Sequence, residues 1–259
     1  MSVRNILNRM LLKGDFVQIF GKIINKIVGK NKISPGNMKW LQENAIEVED
    51  FLKDLDPSLW QEAVAETNII RTNAEKTLKD IEYDLGGGGA YDLLYFLVRY
   101  LRPRTIVETG VAAGYSSYAC LQAIRANKEG RLLSSDFPYF RLPDPENYIG
   151  IIIPEELKND WSLFIEGDRK NFVKILGLCD EIDLLHYDSD KSYAGRAYAL
   201  SLLAPRLTDR SVILMDDIED NNFFFDFVEK KSLKNVQVFR FENKYLAMWW
   251  GDKVEFCDR

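Results

Sequence analysis

The stretch TIVETGVAAGYSSYACL, residues 105–121, carries the strongest structural signal of the chain. It opens on Thr-Ile-Val, a β-branched run typical of a buried strand, and an apolar periodicity typical of a helix begins near Gly114. Between the two lies the turn Glu108-x-Gly110-x-x-x-Gly114. Glycines let a ligand approach the backbone, and the free N–H groups of a helix N-terminus attract an anion. The stretch therefore predicts a strand, a ligand-binding turn and a helix.

Four further predicted strands follow and alternate with helices. They are RLLSSDF, WSLFI, IDLLHY and SVILM, with predicted helices over residues 171–178, 194–203 and 223–231. Five strands alternating with helices predict a doubly wound, mostly parallel α/β sheet with helices on both faces. Residues 236–241 and 245–250 flank Glu-Asn-Lys and predict a C-terminal antiparallel hairpin, which completes a seven-stranded Rossmann-like sheet.

An acidic residue lies at or just beyond the end of each of the five predicted parallel strands: Glu108, Asp136, Asp168, Asp188 and Asp216. In doubly wound sheets, ligands bind outside the carboxyl ends of the strands. An Asp at a strand end can also cap the next helix, so each of the five has a purely structural alternative. Five acids at one edge of the sheet nevertheless predict a ligand site there.

Composition narrows the class of protein. The chain has 259 residues, 46% of them hydrophobic, and a net charge of −6, so it can bury the core of one large domain and gives no support to nucleic acid as a partner. Cys120, Cys179 and Cys257 form no metal-binding spacing, and their odd number argues against a disulfide framework. We expect a cytoplasmic protein. No apolar run is long enough to span a bilayer.

The first 85 residues predict a helical extension ahead of a domain over residues 86–259. Residues 1–29 form a basic amphipathic pattern, which suits packing on the same domain, packing on a partner subunit in a homo-oligomer, or peripheral membrane contact. Helices are predicted over residues 37–52 and 57–78. Four glycines, residues 86–89, then form either a linker or a loop closing over the ligand, and the long insertion over residues 138–154 is typical of a lid.

Two common nucleotide-binding motifs are absent from the turn. It lacks the Gly-x-Gly-x-x-Gly spacing of dinucleotide sites and the Gly-Lys-Ser/Thr of a P-loop. Glu-x-Gly-x-x-x-Gly, followed by an acid after the second strand, resembles the class I S-adenosylmethionine (SAM)-dependent methyltransferases. The resemblance implies SAM as cofactor, with its ribose hydroxyls on Asp136 and its adenine beside Asp168 or its neighbours. It also implies that the amino-acid portion approaches Gly110 and Gly114. We further expect Glu108 to anchor the cofactor's turn, directly or through backbone amides, and Ser116 to bind the carboxylate of SAM.

The second half of the chain adds a closer likeness. ETGVAAGYS together with YDSDK and LMDDI resembles the cation-dependent O-methyltransferases of the catechol and caffeoyl-CoA type. That resemblance implies a metal held by Asp188, Asp216 and Asp217, with Lys191 as the base. Asp217 stands where the family usually has Asn. Carboxylate oxygens suit Mg²⁺, but Asp216 and Asp217 could instead cap the next helix while Asp188 holds a turn.

ETGVAAGYSS, SSDFP, EGDR and YDSDKSY followed by DDI also resemble a broad bacterial methyltransferase family whose fourth-strand motif is commonly His-Asp-Ser-x-His-x-Tyr. Here Tyr187 replaces the first His and Lys191 the second. Lys191 is equally well interpreted as a salt-bridged or solvated lysine. We interpret His186, the only histidine, as a packed strand residue. The Phe223-Phe224-Phe225 and Trp249-Trp250 runs are interpreted as core rather than as an acceptor pocket.

These observations predict a SAM-dependent O-methyltransferase. A divalent cation on the three aspartates would chelate two neighbouring hydroxyls of a small-molecule or sugar acceptor, with Lys191 and Asp188 acting in catalysis. Two alternatives stay open: a non-catalytic cofactor-binding or regulatory protein with the same fold, and a membrane-surface or partner-binding protein that acts through residues 1–29.

Overall fold

The computed structural model describes residues 32–139, 142–254 and 256, so the predictions for residues 1–29 and for Cys257 lie outside the described residues. The helices within these ranges are α1 (Pro35–Asn44), α2 (Val48–Leu55), α3 (Pro57–Leu78), α4 (Tyr91–Leu101), α5 (Tyr115–Asn127), α6 (Asp168–Leu176), α7 (Tyr193–Leu203) and α8 (Phe223–Lys231). The strands are β1 (Ile46–Glu47), β2 (Thr105–Thr109), β3 (Arg131–Ser135), β4 (Trp161–Phe164), β5 (Ile182–Tyr187), β6 (Leu207–Met215), β7 (Val236–Phe241) and β8 (Lys244–Trp250). No helix in the described ranges combines the length and the apolar character needed to cross a membrane.

The strands form one mixed sheet in the order β1-β7-β8-β6-β5-β2-β3-β4. All neighbours pair in parallel except β8, which runs antiparallel to both β6 and β7. The seven predicted strands and the C-terminal hairpin are confirmed. The strand order reverses at β2, which lies between β3 and β5, and this is the switch point at which doubly wound sheets bind ligands.

The first helical segment differs from its prediction. Residues 37–52 were expected to form one helix, but the chain is extended at Ala45 and forms the two-residue strand β1 between α1 and α2. Ile46 pairs with Phe239 at the edge of the sheet, and the Arg240 guanidinium bonds to the Glu47 carboxylate across the same pair. Tertiary pairing outweighs helix propensity here, so the N-terminal part of the chain contributes an edge strand as well as helices.

Side chains of the central strands alternate between two cores. Ile106 and Leu184 lie in the core under α2, α3, α4 and α5, whereas the next residues along the strands, Val107 and Leu185, lie in the core under α1, α6, α7 and α8. The second core also buries Phe224, together with Phe223 and Trp249, as predicted for these aromatic residues. With both faces covered, only the edges of the sheet and the ends of its strands are open to a ligand.

The proposed division at residue 85 stays a prediction. Helix α3, on the N-terminal side of that boundary, contacts α4 through a polar cluster in which the Glu62 carboxylate accepts hydrogen bonds from Arg99 Nε at 2.6 Å and Tyr95 Oη at 2.8 Å. Arg99 also donates to Asn127 at the end of α5. The cluster therefore attaches α3 to the helices that flank β2.

Candidate functional site

The carboxylate of Glu108, on β2, lies against the first turn of α5. It is fully buried, and it accepts hydrogen bonds from the hydroxyls of Ser116 at 2.5 Å, Ser117, and Ser134 at 2.8 Å. Three hydroxyl donors compensate for the burial of this charge. Glu108 thus holds the helix start through side-chain hydroxyls. Cofactor binding by Ser116 stays a prediction, and with its hydroxyl proton donated to Glu108 the backbone N–H is the donor left to it.

The two glycines of the turn lie against other parts of the chain. Gly110 has a φ of +84°, and a Cβ there would be 2.6 Å from the Asp188 carbonyl oxygen. Gly114 has a φ of +109°, and its Cβ would be 2.9 Å from the Cα of Gly150 in the insertion. Close packing therefore already requires both glycines, and their role in admitting a cofactor stays a prediction.

Asp136 folds back onto the same turn. One of its carboxylate oxygens accepts from the backbone N–H groups of Val111 at 3.0 Å and Ala112 at 2.8 Å, and the other accepts from the N–H of Phe137 at 2.6 Å. Ala112 has a φ of +53°, so the turn bends both amides towards one carboxylate. Ribose binding by Asp136 stays a prediction, and the ribose would share this carboxylate with the turn.

Asp168, the first residue of α6, joins neighbouring strand ends. Its two carboxylate oxygens accept from the hydroxyls of Ser135 at 2.7 Å and Ser189 at 2.6 Å. The fully buried Asn171 side chain, which the sequence did not single out, donates to Ser135 Oγ and to the carbonyl of Phe164. The ends of β3, β4 and β5 thus form one connected edge, although contact of Asp168 with adenine stays a prediction.

A cluster of ion pairs lies beside the turn, after β5 and β6. Lys191 Nζ lies 2.8 Å from Asp188 Oδ1 and contacts Asp217 Oδ2, and Lys244 Nζ lies 2.9 Å from Asp217 Oδ1. The backbone N–H of Asp188 donates to the carbonyl of Thr109 at 3.0 Å, which places the cluster against the end of β2. Sequence analysis did not identify Lys244, because its only signal was a hairpin turn.

Burial and charge set the protonation of this cluster. Burial lowers the pKa of Lys191, but Asp188 and Asp217 outweigh it and hold that pKa above its usual value. Burial, together with the nearby Asp216, raises the pKa of Asp188 to about 6. Burial also raises the pKa of Asp217, but Lys191 and Lys244 outweigh it and keep the carboxyl acidic. Lys191 is therefore an ammonium ion at neutral pH, which favours its salt-bridge interpretation over the predicted role as base.

Asp216 faces His186 rather than the lysines. The His186 ring is buried, with Nε2 3.5 Å from Asp216 Oδ2 and Nδ1 3.8 Å from Glu108 Oε1. Burial lowers the pKa of His186, but the two acids outweigh it and raise the pKa to about 10. His186 is packed within the sheet, as expected, and its ring lies between Glu108, which holds the turn, and Asp216. Gly89 lies over Asp216, since a Cβ there would be 3.2 Å from Asp216 Oδ2.

Arg196 supports the Asp216-Asp217 backbone from beneath. It is fully buried in α7, and its Nη2 donates to the carbonyls of Asp216 at 2.8 Å and Asp217 at 2.7 Å. Asp217 has a φ of +51°, a left-handed conformation that these two bonds stabilise. Nothing in the sequence distinguished this arginine from others in helices.

The arrangement expected of a metal centre at Asp188, Asp216 and Asp217 does not appear in the described residues, and metal binding there stays a prediction. Within residues 32–139, 142–254 and 256, no three His, Cys, Asp or Glu side chains are placed to hold a metal ion. Each of the three carboxylates contacts a cationic side chain instead. Asp217 makes no side-chain cap, and α8 begins after Asn222, so the helix-capping alternative is not formed either. As arranged, these residues do not fit Mg²⁺.

Comparisons with known proteins agree with this geometry. Residues 107–218 match the family model of a methyltransferase domain. The chain is also 26% identical over 170 residues to the uncharacterized protein y4gI of Sinorhizobium fredii. That alignment covers 61% of this chain and 18% of y4gI, so the chain spans less than a fifth of this curated relative.

Solved structures with a similar fold include methyltransferases. TomG, an O-methyltransferase of tomaymycin synthesis from Streptomyces achromogenes solved with SAM, aligns with a TM-score of 0.53 and 15% identity over 70% of this chain and 89% of its own. An O-methyltransferase from Bacillus cereus, solved with SAH, aligns with a TM-score of 0.51 and 14% identity, over 78% of this chain and 96% of its own. A methyltransferase from Geobacter sulfurreducens aligns with a TM-score of 0.52 and 17% identity, over 70% of this chain and 89% of its own. At these identities, the similarity establishes the fold.

Proposed function

We propose that this protein transfers a methyl group from SAM to a hydroxyl oxygen, because residues 107–218 match the family model of a methyltransferase domain and the chain is similar in fold to solved O-methyltransferases. The acceptor we propose is a small molecule or sugar. One observation carries the proposal: Gly110, in the expected SAM turn, packs against the backbone of Asp188, in the ion-pair cluster. Methyl transfer requires donor and acceptor sites in such direct contact.

Protonation assigns different tasks to Lys191 and Asp188. SAM, when bound, supplies an electrophilic methyl carbon. The acceptor oxygen forms a bond to that carbon, the carbon–sulfur bond breaks with its electron pair left on sulfur, and the hydroxyl proton must leave. Lys191, as an ammonium ion, stabilises the negative charge that develops on the acceptor oxygen. Asp188, with a pKa raised to about 6, accepts the proton.

Loops on two sides surround this edge of the sheet. The glycine segment, residues 86–89, lies over Asp216, and Tyr139 Oη from the insertion donates to the carbonyl of Leu85 at 2.9 Å. We propose that these two segments bound the acceptor pocket and exclude water from it. The sequence predicts cation assistance, but the ion pairs of the cluster as arranged do not support a step through a metal ion.

Calorimetric titration with SAM tests cofactor binding, and tritium transfer from methyl-labelled SAM to a panel of phenols, sugars and hydroxy acids tests the reaction. We expect binding by the wild type and at least a hundredfold loss of turnover in Asp188→Asn, the scale of a lost general base. Asp209→Asn is the matched control, because Asp209 pairs with Lys253 on the surface. Absence of SAM binding would refute the proposal, and binding without product from any acceptor would favour the non-catalytic alternative.

A further inference from the structure

Asp217 is the point where two lysines from distant parts of the chain meet. Lys191, three residues after Asp188, contacts one carboxylate oxygen of Asp217. Lys244, on the C-terminal hairpin, contacts the other oxygen of Asp217. The side chain of Asp217 is only 10% exposed, whereas that of Lys244 is 59% exposed. A carboxylate buried to this extent needs compensation, and an ammonium group on each oxygen provides it.

The hairpin holds Lys244 in register with the site. Lys244 pairs with Phe241 at the turn, and Ala247 of the same strand pairs with Met215, the residue before Asp216. The backbone N–H of Tyr245 also donates to the Glu219 carboxylate at 3.1 Å, which attaches the hairpin to the turn that follows Asp217. Strand pairing therefore brings this lysine to Asp217.

Every aspartate of the cluster already has a cationic partner. The three carboxylates of Asp188, Asp216 and Asp217 face three cationic side chains, those of Lys191, Lys244 and His186. A divalent cation bound among these oxygens would lie a few ångströms from the two ammonium groups and would be repelled by both. It would also have to displace their bonds to Asp217.

We infer that Lys191 and Lys244, one on each oxygen of Asp217, supply the positive charge at the acceptor site in place of a divalent cation. The inference rests on the proposed function for the identity of this site as the acceptor site. An ammonium group has three N–H donors, and Lys191 donates one to Asp217 while its Nζ lies 2.8 Å from Asp188 Oδ1, which leaves at least one donor for an acceptor oxygen. With ammonium groups in place of a chelating ion, the acceptor needs only one hydroxyl at the reacting position.

Electron paramagnetic resonance of free Mn²⁺ tests the charge assignment without any substrate. The full chain is titrated as wild type, Lys244→Ala and the double variant Lys191→Ala/Lys244→Ala, with Lys253→Ala as the matched control. We expect the wild type and the control to leave the free Mn²⁺ signal as in buffer. The double variant should bind one equivalent at least tenfold more tightly than the wild type, and adding Asp217→Ala should abolish that binding.

Each result bears on the inference. One equivalent of Mn²⁺ bound by the wild type would overturn it, as would turnover lost in EDTA and restored by Mg²⁺. A folded double variant that binds no Mn²⁺ would also overturn it, because the carboxylates could then not hold a cation even without the lysines. If the double variant does not fold by circular dichroism, Lys244→Ala takes its place: it removes one of the two ammonium groups from Asp217 and should bind Mn²⁺ more tightly than the wild type, and unchanged binding would overturn the inference. Failure of the proposed function is separate, since it would appear as absent SAM binding with unchanged Mn²⁺ results.

Discussion

Substitution of Gly110 by alanine tests whether the turn after β2 is packed directly against the ion-pair cluster. The new Cβ would lie 2.6 Å from the carbonyl oxygen of Asp188 and 2.9 Å from its carbonyl carbon, both backbone atoms that cannot rotate away. The backbone of Gly110 also has a φ of +84°, which a residue with a Cβ adopts only at a cost. The substitution therefore combines a steric and a conformational penalty.

The two penalties set the size of the effect. A left-handed conformation costs a residue with a Cβ about 1–2 kcal/mol. Overpacking a tight site costs about 1–3 kcal/mol. We therefore expect Gly110→Ala to lose about 2–5 kcal/mol of unfolding free energy, which corresponds to a fall in Tm of about 4–20 °C for a chain of this size. Because the displaced atoms belong to the proposed site, SAM affinity should fall as well.

Differential scanning calorimetry measures the change, with Gly87→Ala as the matched control. Gly87 lies in the glycine segment with nothing within 4 Å of an added Cβ and no left-handed φ. Alanine there should leave Tm unchanged or raise it slightly, because it restricts the unfolded chain. Equal Tm values for the two variants would refute the close approach of the turn to Asp188.

Two further substitutions test contacts that no local pattern indicates. Hydrogen bonding to Arg99 keeps the pKa of Glu62 below 4.5, so its contribution to stability is complete above that value and disappears as the pH falls below the folded pKa. Glu62→Gln should therefore lower Tm at pH 7, and scanning calorimetry should show a smaller decrease as the pH falls through the folded pKa; a decrease of equal size at every pH would contradict this. Arg196→Met removes two hydrogen bonds to the carbonyls of Asp216 and Asp217, but it also removes a buried guanidinium. We expect a net loss of about 2 kcal/mol of unfolding free energy, measured by urea unfolding. An unchanged midpoint would show that Arg196 does not stabilise the turn.

Local pattern predicted most of the secondary structure. Residues 182–187 and 223–231 form the predicted strand and helix with unchanged bounds, because their apolar and polar residues follow the period of each element. Alternation of strands and helices also indicated the doubly wound sheet. Strand β1 was missed because two residues have no period, and they pair with β7 almost two hundred residues away.

The candidate site was likewise predictable only in part from the sequence. The sequence placed the acids at the strand ends, and the sheet brings them together because the carboxyl ends of parallel strands share one edge. It could not determine what each acid contacts. Asp136 bonds the turn, Asp216 faces His186, and Asp217 lies between two lysines, and each pairing depends on which loops meet over that edge.

By itself, therefore, the amino-acid sequence determined the element types, the parallel sheet and the edge at which chemistry is concentrated, since these follow from periodicity and connection rules that act over short distances. Only the tertiary structure decided that two ammonium groups face Asp217 and that Lys191 also lies against Asp188. Charge and burial at a point depend on all the segments that converge there. Lys244 reaches Asp217 through a hairpin register that no local pattern of residues encodes.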